Sequence, residues 1–211
     1  MKTKLAIVSF LVVAMVAVFF VPISSFAAVT TSGKYFKDVP DAYPLSATIN
    51  ALKDQKVITG YGDGTFLPNN SISRAEFLTL VMRSLNKNMT GSNCFKDVKK
   101  DDWFAPSVCY AKTKGIIKGY GNGTFKPDSN INFADASTII ANAYGLKINA
   151  LKKNEAWFKP VVAALSAKKA IPVTIDYVEK KISRGETAEI IWRLKNKVTN
   201  KPTKLVASLV D

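Results

Sequence analysis

An eleven-residue stretch of this chain returns at one fixed spacing with eight of its positions unchanged. Ile58-Thr59-Gly60-Tyr61-Gly62-Asp63-Gly64-Thr65-Phe66-Leu67-Pro68 comes back 59 positions later as Ile117-Lys118-Gly119-Tyr120-Gly121-Asn122-Gly123-Thr124-Phe125-Lys126-Pro127. Phe36-Lys37-Asp38-Val39 returns at the same offset as Phe95-Lys96-Asp97-Val98. Two matches at one offset, with no gap between them, mark a duplication. A fainter third copy follows, in which Trp157-Phe158-Lys159-Pro160 answers Trp103-Phe104-Ala105-Pro106, and Ile182-Ser183-Arg184-Gly185-Glu186 answers Ile72-Ser73-Arg74-Ala75-Glu76. The third copy has lost the glycine loop. Units of about 45 to 60 residues bury little surface alone, so they are expected to stack on one shared core.

Within each unit the apolar spacing predicts helix, loop, helix. In the first, Leu45, Ile49 and Leu52 mark one face of a helix ending near Gln55. Ser73 and Glu76 form a capping box at the start of the second, which then presents Phe77, Leu78, Val81 and Leu85. The second unit repeats this with Pro106 in its opening turn, then Val108 and Ala111, and with Asn132 as the cap before Ile139, Ile140 and Ala143. In the third, Val161, Val162 and Leu165 precede Ser183 to Glu186 and the run Ile190, Ile191, Leu194. The expected fold is mainly α, three tandem helix-loop-helix units with short extended pieces in the loops.

The first 27 residues carry Lys2 and Lys4, an uncharged apolar run from Leu5 to Val21, then Pro22 and small residues around Ala27. That order is a secretory signal peptide with cleavage expected after Ala27; an uncleaved anchor is the competing reading. Export gives Cys94 and Cys109 a meaning, since oxidising compartments let disulfides persist. A bridge between them is expected to contribute about 3 kcal/mol through chain entropy; the alternative is two reduced thiols.

Charge and composition narrow the chemistry. There are 30 Lys and Arg against 16 Asp and Glu, a net charge of +14, and two of those lysines lie in the leader. The exported part should therefore be drawn to anions, and export argues against nucleic acid as the partner. With no His at all, His-based acid and base chemistry, His triads and His-ligated metals are excluded. Asp101-Asp102 and Glu155 could be offered as catalytic carboxylates, but the pair reads as a solvated turn, so no enzyme and no cofactor is expected. The glycine loops do not run directly into a helix, as a phosphate loop would, because Pro68 intervenes. A calcium loop needs more carboxylates than Asp63, which Asn122 replaces in the second copy. A turn needing positive φ, with Tyr61, Phe66, Tyr120 and Phe125 packed around it, is the expectation.

Arg74 and Arg184 stand at the first position of capped helices, where the helix dipole disfavours a cation. Something must compensate. Either each arginine pairs internally, with Glu76, Glu186 or an aspartate such as Asp38 or Asp97, or it faces an external anion together with free helix N–H groups. Trp103 and Trp157, at matching places before a proline, are open to two readings, as core anchors or as sugar-stacking platforms.

At these residues the chain resembles surface-layer homology (SLH) domains, through the Phe-x-Asp-Val opening, the Gly-Tyr-Gly-Asp-Gly-Thr-Phe-x-Pro loop and the Ile-Ser-Arg-Ala-Glu helix start. The resemblance implies units at 34–88, 93–147 and a degenerate 154–196, between the leader at 1–27 and a tail at 197–211. It implies a pseudo-threefold assembly that attaches exported proteins to the bacterial wall through an anionic secondary polysaccharide, often bearing ketal-pyruvate. On that reading Arg74 and Arg184 contact the acidic sugar in grooves between units, and Asp38, Asp97, Gly62, Gly121, Trp103 and Trp157 help to form the grooves. The membrane would be met only through the leader before cleavage. A protein-interaction, adhesion or surface-array role, including self-association, is the alternative.

The pattern has departures. Phe133 stands where the second unit should carry its arginine, Pro44 where the first should carry tryptophan, and Gly185 where the third should carry alanine. At most two competent grooves follow from the resemblance. The cysteine pair is no requirement of that family and reads as a local staple.

Overall fold

The computed structural model describes residues 33 to 209, and the expected signal peptide lies outside them. Six helices follow in chain order: α1 Ser46–Asp54, α2 Arg74–Ser84, α3 Ala105–Thr113, α4 Phe133–Ala143, α5 Lys159–Ala167 and α6 Arg184–Lys195. They fall into three pairs, each a shorter helix, a loop and a longer helix. No helix among the described residues is long and apolar enough to cross a membrane.

Local chemistry accounts for the helix starts. Ser73 and Ser183 each accept from the N–H three residues on, while Glu76 and Glu186 accept from the cap residue's own N–H, completing both capping boxes. Asn132 accepts from the Asp135 N–H and starts α4 in the same way. Proline sits in the first turns of α3 and α5, where its missing N–H costs nothing. The starts of α2, α3, α4 and α6 lie where the sequence spacing put them.

The three pairs close into a ring through three isoleucines. The Ile72 N–H donates to the Ile182 carbonyl at 3.1 Å, Ile131 to Ile72 at 3.1 Å, and Ile182 to Ile131 at 3.2 Å. All three residues are buried, so each backbone group needed a partner and found it in another pair. Around this ring every second helix is capped by a neighbour's loop. Arg74 and Ala75 donate to the carbonyls of Ser129 and Pro127, Phe133 and Ala134 to those of Lys180 and Val178, and Arg184 and Gly185 to those of Asn70 and Pro68. The glycine at 185 follows from that contact: a Cβ there would lie 2.9 Å from the Pro68 carbonyl and 3.3 Å from the Leu45 side chain.

Phe66, Phe77, Phe125 and Phe133 are among the largest fully buried side chains, in one continuous core shared by all three pairs. In the third pair, Ile171, Ile175 and Val178 are buried in the stretch that lacks the glycine loop. The segment after α6 packs back on that same pair. Thr203 and Lys204 both donate to the Ile171 carbonyl, and Leu209 is buried. Cys94 and Cys109 are joined, their Cα atoms 5.3 Å apart, tying the start of the second unit to α3. The alternative of two reduced thiols is set aside.

Candidate functional site

Each glycine loop is built around one carboxylate. Asp38 accepts from the N–H groups of Phe66 and Leu67 at 2.8 and 2.7 Å, and Asp97 accepts from Phe125 and Lys126 at the same distances. Both carboxylate oxygens are used in each case. This grip holds Leu67 and Lys126 at φ near +55° and +58°, a conformation costly for residues with a Cβ. Asp63 accepts from the N–H and hydroxyl of Thr65, and Asn122 does the same for Thr124. Only an oxygen acceptor is required there, so aspartate and asparagine exchange freely. Among the described residues no acidic or thiol cluster could hold a metal.

The loop glycines differ in what their surroundings require. Gly62 and Gly121 have open space around them and do not carry positive φ. Gly60 and Gly119 do, at +75° and +73°, and a Cβ on either would strike the ring of Phe36 or Phe95 at 2.3 Å. Gly60 and Gly119 also line the grooves described next.

Each loop carries an arginine reaching in from another helix pair. Arg184 is only 5% exposed; its Nε donates to the Phe66 carbonyl at 2.7 Å and its Nη1 to Glu76 Oε1 at 2.9 Å. Its guanidinium lies 4.4 Å from the Tyr61 ring and 4.8 Å from the Phe66 ring. Arg74, 8% exposed, repeats the arrangement with Nε to the Phe125 carbonyl at 3.1 Å and the rings of Tyr120 and Phe125 at 5.1 and 5.0 Å. Its carboxylate partner is Asp135, at a looser 3.9 Å. The compensating ion pairs are thus formed with Glu76 and Asp135, and not with Asp38 or Asp97, whose oxygens are committed to the loops. Nor are the helix N–H groups free to meet an anion, since neighbouring loop carbonyls already accept from them.

What remains open is the outer edge of each guanidinium. Among the described residues Arg184 Nη2 donates to no protein group, and Arg184 lines a groove of about 440 Å³ together with Gly60, Tyr61, Glu76, Thr79 and Trp103. Thr79 is buried and its hydroxyl has no partner. Tyr61 donates to Glu76 Oε1 at 2.8 Å. Burial first, then that hydrogen bond, push its hydroxyl up to about 12, while Arg184 opposes the rise. The Arg74 groove, about 340 Å³, is assembled in the same way from Gly119, Asp135, Thr138 and Trp157.

The two tryptophans are on the surface. Trp103 is 61% exposed and Trp157 56%, each set edge-on against the phenylalanine that follows it. The core-anchor reading is overturned: Phe104 is the buried neighbour, and the exposed Trp103 is among the residues that line the groove.

Phe133, in place of the arginine, is fully buried. The corresponding third groove, about 660 Å³, runs from Tyr43 and Pro44 to Lys180, Glu186 and the segment after α6. Lys180 donates to Glu186 Oε1 at 2.9 Å, so a cation still meets the first-turn carboxylate of α6. Sequence matching looked for that cation at position 133 and missed it in the loop before α6.

The S-layer homology domain family matches this chain over residues 35–78 and 95–137. The Middle cell wall protein of Brevibacillus brevis is 36% identical over 124 residues, covering 56% of this chain and 11% of that protein. An S-layer protein of Bacillus thuringiensis subsp. finitimus is 31% identical over 175 residues, covering 81% of this chain and 20% of its own length. The Cellulosome-anchoring protein of Acetivibrio thermocellus is 34% identical over 110 residues, covering 50% of this chain and 25% of its own. The chain therefore spans a quarter or less of the length of these relatives.

Proposed function

We propose that this chain is a non-catalytic cell-wall-binding module of the bacterial surface. The third helix pair is read as a diverged copy of the two that match the family. The ligand is an anionic wall polysaccharide, with a pyruvate-type carboxylate as the recognised group. One observation supports the reading: Arg184 and Arg74 each line a groove between helix pairs that is also lined by an exposed tryptophan, Trp103 in one and Trp157 in the other. An arginine edge offers a fork to a planar carboxylate, and an indole face stacks on a sugar ring.

Because each guanidinium is already braced by a carbonyl and two rings, its charge is held in place before any ligand arrives. Preorganisation of this kind lowers the ordering cost of binding. Glu76 and Asp135 then neutralise part of the charge, and a ligand carboxylate shares the arginine with them. Asp38 and Asp97 act at one remove, by fixing the loops whose carbonyls hold the arginines.

The test is co-sedimentation with purified wall polysaccharide, before and after chemical removal of its ketal-pyruvate. Retention that depends on the pyruvate and weakens with added salt is expected. Equal retention on stripped polymer would remove the carboxylate from the account, and retention on protein-bearing walls alone would favour adhesion.

A further inference from the structure

The groove that has lost its arginine is the most cationic of the three. Lys180, Lys181, Arg193 and Lys201 line it against Glu186 and Glu189. The Arg184 groove sets Arg83 and Arg184 against Glu76 and Asp128, and the Arg74 groove sets Arg74 and Lys118 against Asp135.

These cations divide by how they are used. Arg193 is spent inside the fold, on Glu189 and on the carbonyls of Lys169 and Pro202. Lys180 is spent on Glu186 at 2.9 Å and on the Thr174 carbonyl, with Asp176 at 3.9 Å. It stands to Glu186 as Arg184 stands to Glu76, but arrives from the loop of its own pair. Two cations are then left over. Lys181 is exposed and makes no ion pair among the described residues. Lys201 has one carboxylate within reach among the described residues, Glu189 at 3.9 Å, which Arg193 already holds, and its ammonium otherwise lies 5.0 Å from the Trp192 ring.

The aromatic wall is present as well. Tyr43 lies beside Pro44, the position that matches Trp103, and donates to Asn69 at 3.0 Å. Burial, then the charges of Asp38 and Glu186, raise its hydroxyl, so it stays a neutral donor.

We propose that the third groove is an acidic-saccharide site in its own right. Lys181 and Lys201 take the ligand carboxylate, Lys180 neutralises Glu186, and Tyr43 is the aromatic wall. The proposal rests on the polysaccharide reading above and adds a site that the repeated motif does not encode. Two ammonium groups act as point charges without the fork of a guanidinium. The site therefore selects charge more than shape, and it is the most salt-sensitive of the three.

The experiment is calorimetric titration with the methyl glycoside of an N-acetylhexosamine carrying a 4,6-ketal-pyruvate, and with the same sugar lacking pyruvate. The background is Trp103→Ala with Trp157→Ala, which strips the platforms from both arginine grooves without touching the core. Binding of the acidic sugar should survive there and fall at least tenfold on adding Lys181→Ala and Lys201→Ala, with the thermal midpoint unchanged. Unaltered affinity in the four-fold variant overturns the proposal, as does equal binding of the neutral sugar. Complete loss with the tryptophan variants alone overturns the third site and leaves the wall reading standing. If the unaltered protein binds neither the acidic sugar nor the wall polymer, both fall together.

Discussion

Arg184 Nη1 donates to Glu76 Oε1 over 2.9 Å, joining the first turn of α6 to the first turn of α2 across 108 residues of sequence. A cation thus sits at a helix start because a carboxylate at another helix start is aimed at it, and that pairing offsets the dipole's penalty on the arginine. The same carboxylate accepts from its own cap residue and from Tyr61. Stability and the proposed binding therefore draw on one cluster.

Arg184→Ala should lower unfolding free energy by about 2 to 3 kcal/mol, since it strips a partly buried carboxylate of its partner and frees the Phe66 carbonyl. Arg74→Ala should cost less, because Asp135 is 3.9 Å away and more exposed. Urea denaturation of the two variants checks the order. Equal costs would mean that the carboxylate distance is irrelevant.

Phe133→Ala, which sequence alone would treat as a harmless change in an unused groove, removes a fully buried ring. A loss of about 3 to 5 kcal/mol is expected, with Phe133→Leu nearer 1. Thermal melts of both variants measure it; a wild-type midpoint for the alanine variant would contradict the burial.

Tyr61 titrates at about 12 in the fold against an ordinary 10.0. A group raised in this way stabilises the fold fully below pH 10, and the contribution fades as pH climbs through 12. Tyr61→Phe should therefore show a shallower alkaline loss of stability than the unaltered protein between those values. Parallel curves would mean that Tyr61 ionises as freely folded as unfolded.

Replacing Cys94 and Cys109 by serine should lower stability by about 3 kcal/mol, the chain entropy of the short loop they close. Cys109 is one buried residue of a core that extends through all three helix pairs, so helical content by circular dichroism should persist in the variant. Collapse of the helical signal would show that the bridge is needed for the fold itself.

Part of this molecule was legible in short stretches of sequence. Ser73 with Glu76, Asn132, and Ser183 with Glu186 announced three helix starts, because a cap is a contact over three residues and spacing alone specifies it. The duplicated Phe-x-Asp and glycine loop could be matched by eye, and Gly60 and Gly119 obey the left-handed φ their residue type allows. The exposure of Trp103 was not legible, since Trp103 and Phe104 are adjacent aromatics and only packing decides which of the two turns inward. Lys180 escaped notice because it reaches Glu186 from a position the repeat leaves blank.

The amino-acid order, by itself, determined the helical periodicity, the capped starts of α2, α4 and α6 and the duplication at one offset, all legible as patterns along the chain. The closed ring of Ile72, Ile131 and Ile182, and the pairing of each arginine with a particular carboxylate, came only from tertiary structure. Those contacts join groups 51 to 110 positions apart. Such groups become neighbours only after the ring has closed and the capping carbonyls of one pair have met the helix ends of the next.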